Sequence, residues 1–257
     1  MGTSSPSAYG TGTGVGTGAV SRRQLLRTGT VAAAGTGLAL LGTHWARAAT
    51  AGPAADAPTS DVAAPVAPSE ALDRLREGNA RWVAGMPKHP DQSVQWLHEV
   101  STGQHPFAAV FSCIDSRVPP ELVFDQGLGD LFVLRTAAHT LDELVEASVE
   151  YGPLELATPA VVVLGHQRCG AVTAAVEAIE HGTQLPAHLP DIVKALRPSY
   201  TPGRDQAETV DLTVRAHIRR TVARLGRDAA LRPLVECGGL RIAGAYYSLD
   251  DGSVSWL

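Results

Sequence analysis

Pro106-Phe107-Ala108-Ala109-Val110-Phe111-Ser112-Cys113 and Thr158-Pro159-Ala160-Val161-Val162-Val163-Leu164-Gly165 decide the fold. Each is a short apolar run rich in strand formers and shorter than a core helix needs. Strands read this way when both faces of their sheet are covered. Both runs carry chemistry just past their carboxyl ends. Cys113-Ile114-Asp115-Ser116-Arg117 closes the first, and His166-Gln167-Arg168-Cys169 follows the second. Gly165 is expected to break the second strand and Gly170 to Val176 to open a helix, leaving His166 and Cys169 in the turn between. Open parallel α/β sheets bind ligands at the carboxyl ends of their strands.

Two thiols and an imidazole make three zinc ligands and leave a fourth position open, a pattern of hydration or hydrolytic sites rather than structural clips. If the chain stays extended past Cys113, then Cys113, Asp115 and Arg117 share one face. Asp115 reads two ways: as the fourth ligand, or as a carboxylate paired with Arg117 that accepts a hydrogen bond from metal-bound water. A helix N-terminus beside Cys169 favours its thiolate. Cys237, next to Gly238-Gly239 and without metal-ligand spacing, reads as a buried structural thiol.

The segments SCIDSRVPPELVFDQGLGDLFVLR at 112–135, VVLGHQRCGAV at 162–172 and GNARWVAGMPKHPDQS at 78–93 resemble those of a β-class carbonic anhydrase, and the resemblance runs from about Ser69 to the C-terminus. It implies a lyase that interconverts carbon dioxide and bicarbonate by attack of a zinc-bound hydroxide. Carried over by position, Cys113, His166 and Cys169 would hold one Zn²⁺. Asp115 and Arg117 would form the dyad beside it, and Gln104 would contact substrate. A homodimer or higher homo-oligomer is implied, with sites near the subunit interface. Thr136-Ala137-Ala138-His139 departs from the family's usual valine-alanine-glycine-asparagine. His139 is either a proton shuttle or the N-terminal residue of a helix over 140–151, the second reading being favoured. Two thiolates cancel the formal charge of zinc and depress the pKa of its water less than three histidines would, so activity should rise toward alkaline pH. A CS₂/COS-type hydrolase on the same scaffold and a non-catalytic zinc-binding protein are the alternatives.

Further out, helices are expected over 69–84, 171–181 and 211–225, and a strand over 131–135. Residues 183–206 hold four prolines and read as a loop with at most one short helix; 240–248 and 253–256 read as a hairpin turning at Asp251-Gly252. Alternating strands and helices predict an α/β fold with a mainly parallel central sheet flanked by helices. Residues 1–20 are Gly/Thr/Ser-rich, and Ser21-Arg22-Arg23-Gln24-Leu25-Leu26 is a twin-arginine pattern. The apolar stretch after it is short for a spanning helix, and Ala46-Arg47-Ala48 fits a cleavage site. This predicts a signal peptide over 1–48, an Ala/Pro-rich linker over 49–68 and a catalytic domain over 69–257, exported by the twin-arginine pathway without stable membrane insertion after cleavage. The chain carries 21 Lys+Arg against 26 Asp+Glu; removing 1–48, with four arginines and no acids, leaves 17 against 26. That balance argues against nucleic acid as a partner and suits a small substrate handled at the metal.

Overall fold

The computed structural model describes residues 66–257. Five strands form one sheet: β1 (Ala108–Cys113), β2 (Leu131–Thr136), β3 (Ala160–His166), β4 (Arg241–Tyr247) and β5 (Val254–Trp256). Their order is β2-β1-β3-β4-β5, the first four parallel and β5 antiparallel to β4. β1 and β3 are central neighbours, and every residue of both is buried. Their alternate side chains divide between two cores. Ala109, Phe111, Val161 and Val163 face one, while Ala108, Val110, Val162 and Leu164 face the other. That two-sided burial is why both runs are apolar without alternation.

Among the described residues eight α-helices accompany the sheet: α1 (Pro68–Val83), α2 (Val94–Val100), α3 (Pro120–Val123), α4 (Glu143–Glu155), α5 (Gly170–His181), α6 (Leu189–Leu196), α7 (Gln206–Leu225) and α8 (Arg232–Glu236). Residues of α1 and α3 fill the core on one sheet face, and residues of α5, α6 and α7 the other. Helix α7 lies very close to the sheet. A Cβ on Gly165 would sit 2.6 Å from Ile218 Cδ1, so only glycine allows β3 that approach. Among the described residues no helix is long and apolar enough to cross a membrane.

The mainly parallel α/β sheet and the terminal hairpin are as expected. Boundaries moved where side chains cap helices. Asp142 accepts the Val145 N–H, so α4 starts at Glu143 rather than 140, and it continues to Glu155. Asp205 accepts the Glu208 N–H and starts α7 at Gln206, five residues early. His166 is the last residue of β3 rather than a turn residue. Cys237 is exposed, not buried, its S–H donating to the Leu234 carbonyl at 3.4 Å. The short helices α2, α3 and α8 carry no pattern long enough to read. The signal peptide expected over 1–48 and nearly all of the 49–68 linker lie outside the described residues; Pro68 opens α1.

Candidate metal centre

The chain leaves the sheet at the carboxyl ends of β1 and β3. From β1 it next joins the sheet on one side, at β2, and afterwards on the other, at β3, so these ends flank the topological switch point of the sheet. Cys113 is the final residue of β1, His166 the final residue of β3, and Cys169 the residue that precedes α5. All three are at most 3% exposed. Their ligand atoms lie within 4.8 Å of one another.

Several observations fit a metal there. The two sulfurs stand 3.9 Å apart and all three cysteines are free. A disulfide needs about 2.05 Å. Two zinc–sulfur bonds of about 2.3 Å at a tetrahedral angle place sulfurs about 3.8 Å apart. His166 Nδ1 lies 2.9 Å from the Gln167 carbonyl, to which it donates, leaving the Nε2 lone pair inward. That Nε2 is buried without a hydrogen-bond partner, a cost a metal ligand would not incur. The Ala138 N–H donates to Cys113 Sγ at 3.3 Å. The Cys169 thiol hydrogen-bonds the Cys113 sulfur, and this contact, opposed by burial, draws Cys113 well below the ordinary thiol range. The same bond, reinforced by burial, holds Cys169 above it. One proton is thus shared where a cation would replace it.

Asp115 and Arg117 do not reach the cluster on an extended strand. β1 ends at Cys113, and a turn follows in which the Val118 N–H bonds the Asp115 carbonyl. The turn folds Arg117 back onto Asp115: Nε to Oδ1 at 2.9 Å, Nη2 to Oδ2 at 2.7 Å, and the Arg117 N–H to Oδ1 at 3.0 Å. Asp115 Oδ2 lies 3.8 Å from His166 Nε2. The structure therefore has the carboxylate on Arg117 and beside the ligand set. The hydrogen bonds from Arg117 hold it down to about 2 against its burial, so it stays anionic.

Gln104 is not brought there by its own chain. It is exposed and precedes β1 at the amino edge of the sheet, whereas the cluster lies at the carboxyl edge. His139 matches neither reading made of it. It closes a 3₁₀ turn over Ala137–His139, four residues before α4, and is 1% exposed. Neither ring nitrogen has a partner, and its ring centroid is 4.7 Å from that of His217. Burial first, then His217 and His166, keep its pKa well below the ordinary value; it lacks the solvent contact a shuttle needs. Arg135 was missed. From β2 it donates Nε to the Cys113 carbonyl at 2.8 Å and Nη2 to the Asp115 carbonyl at 2.6 Å, clamping the loop that carries both. Its place at a strand's carboxyl end was the available signal.

The carbonic anhydrase family profile matches residues 108–254, a span that begins with β1 and ends on β5. Carbonic anhydrase 2 of Mycobacterium tuberculosis is 46% identical over 187 residues, covering 72% of this chain and 90% of the relative. A carbonic anhydrase of Mycolicibacterium smegmatis is 43% identical over 73% of this chain and 92% of its own. One solved structure, from a study of two tetrameric β-carbonic anhydrases of Sordaria macrospora, superposes with a TM-score of 0.59 at 21% identity, over 72% of this chain and 96% of its own. At that identity the superposition speaks for the fold. With a parallel sheet of β-carbonic-anhydrase type, a cysteine–histidine–cysteine cluster at its switch point and relatives this close over nearly their whole length, the chain belongs to the carbonic anhydrase family, in its β class.

Proposed function

We propose that this chain catalyses reversible hydration of carbon dioxide to bicarbonate with one Zn²⁺ held by Cys113, His166 and Cys169. The observation that carries the reading is three ligand atoms converging within 4.8 Å beside a carboxylate locked by a bidentate arginine. Bound zinc would supply a Lewis acid with an open position and an activated water. The rest is the work of the chain's own side chains. Asp115, anionic and acceptor-only, offers Oδ2 on the His166 side of the cluster. A nucleophile lying there must give its hydrogen to Asp115 and turn a lone pair toward the incoming carbon. Arg117 fixes both carboxylate oxygens, and Arg135 fixes the loop beneath them. The contact of Gln104 with substrate then falls to a second copy of the chain, which supports a homo-oligomer with sites at its interface.

The twin-arginine pattern supports export of the folded protein, with 1–48 removed and 49–68 as a tether to the 69–257 catalytic domain. Zinc loaded before export would keep Cys113 and Cys169 from oxidising outside the cytoplasm. The test of the catalytic reading is stopped-flow CO₂ hydration by zinc-loaded protein from Ala49 onward. Turnover that rises with pH is the expected result. One zinc per chain with no turnover on CO₂ at any pH overturns it, and CS₂ assayed on the same preparation then tells a changed substrate from a non-catalytic site.

A further inference from the structure

A recess of about 1130 Å³ opens among α4, α6 and the carboxyl half of α7, and no metal ligand and neither member of the Asp115–Arg117 pair lines it. Besides Arg224, four cations do: Lys194 on α6, Arg219 and Arg220 on α7, and Arg227 just beyond it. All four are exposed, and none is in an ion pair among the described residues. Three carboxylates also line the recess, and two of them are held by other groups. Glu146 holds Arg224 through both oxygens, at 3.1 and 2.6 Å. Asp228 Oδ1 accepts the N–H groups of Ala230 and Leu231 at 2.8 and 2.9 Å. Asp191 stands 3.9 Å from His188.

The wall holds a second polar feature. His217 is 5% exposed, lines the recess, and bonds Ser199 Oγ through Nδ1 at 3.0 Å, while its Nε2 makes no hydrogen bond. Burial, opposed by the His139 backbone and helped by the nearby charge of Arg220, puts its pKa at about 4, so the ring is neutral and adds no positive charge to the wall. On a chain with more acids than bases, such a concentration is not the background of the surface. Unpaired guanidinium groups present flat forks that match phosphate oxygens two at a time. Leu141 and Pro198 add apolar wall.

We propose that this recess binds a soluble phosphate ester, its phosphate held by Arg219, Arg220, Arg227 and Lys194 and its organic part against Leu141 and Pro198. The site is separate from the metal centre. Phosphate esters also occur as lipid headgroups, but these cations line a recess rather than a plane. Calorimetric titration of zinc-loaded protein with inorganic phosphate and with phenyl phosphate tests the assignment, alongside Arg219→Ala/Arg220→Ala. Both substituted side chains are exposed, so the variant should fold and keep its zinc. Expected are saturable binding, phenyl phosphate tighter than phosphate, and an affinity loss of about tenfold or more in the double variant. Equal affinity in both proteins would overturn the proposal by placing the anion at the metal or elsewhere, as would a signal that never saturates. Sedimentation with phosphatidylglycerol vesicles that the double variant abolishes would assign the cations to a membrane surface instead, and no sedimentation is expected.

Discussion

Asp115 is held by three hydrogen bonds from a single residue, Arg117, and stands 3.8 Å from His166 Nε2. Asp115→Asn keeps the shape but presents an NH₂ group where an acceptor is needed. CO₂ hydration should fall by about 100-fold with zinc still bound one per chain, since outer groups on metal sites typically carry 10–100-fold; equal loss of zinc would make the residue merely structural. Because Arg117 lowers the carboxylate from 3.8 to about 2, the stability it contributes is complete above pH 3.8 and lost as pH falls through about 2. Melting temperature followed through the acid range should show that loss shrink in Arg117→Ala. The thiol pair makes its own prediction. With Cys113 ionised and Cys169 protonated in the metal-free protein, zinc uptake at neutral pH should release about one proton. Calorimetry in buffers of different ionisation enthalpy counts it, and release of two would mean both thiols start protonated.

Among the elements, α1 is tied to the sheet by Trp82, whose Nε1 donates to the Tyr247 hydroxyl at 3.2 Å, and by Asn79. Asn79 donates to the Val123 carbonyl at 3.0 Å and the Gly252 carbonyl at 2.9 Å, and accepts the Val254 N–H at 2.9 Å. It thereby joins α1, α3 and the hairpin turn. Asn79→Ala strands three backbone groups in a buried setting and should cost about 2 kcal/mol or more in urea unfolding; a change under about 0.5 kcal/mol, typical of open surface sites, would show that water replaces the amide. Asp125, its side chain 1% exposed, pins the same carboxyl-terminal end of α1 through Arg81 Nε at 2.5 Å and takes the N–H groups of Lys88 and His89. Burial raises its pKa, but the bonds to Lys88, Arg81 and His89 outweigh it, so this anchor too weakens as pH falls below the ordinary carboxylate value.

At the scale of the molecule, the outer edge of β2 is unpaired among the described residues and all six of its residues are half-buried. Beside it on α4, Leu144 is 80% exposed and Tyr151 51% exposed, and a recess of about 680 Å³ lies between strand and helix. Open strand edges and apolar patches of this kind are where chains pair. Leu144→Asp should therefore shift the protein toward monomer in size-exclusion chromatography with light scattering. If Gln104 serves the site of a second copy, CO₂ hydration falls with it. An unchanged mass would place the oligomer contact elsewhere.

The sequence alone determined the two central strands, the cysteine–histidine–cysteine set that they gather into one cluster and the parallel α/β architecture. Each is written in local terms: an unbroken apolar run, a cysteine or histidine at its end, a glycine opening a helix. What it left to the tertiary structure was everything made by contacts distant along the chain. The turn after Cys113, not strand alternation, joins Asp115 to Arg117, because β1 stops where its pairing with β2 stops. His139 is buried against His217, 78 positions away, and Cys237 is exposed; neither could be told from neighbouring residues. Arg135 clamps the ligand loop, and Gln104 lies at the far edge of the sheet. Burial and pairing are set by which elements pack together, and the free energy deciding that is summed over the whole fold.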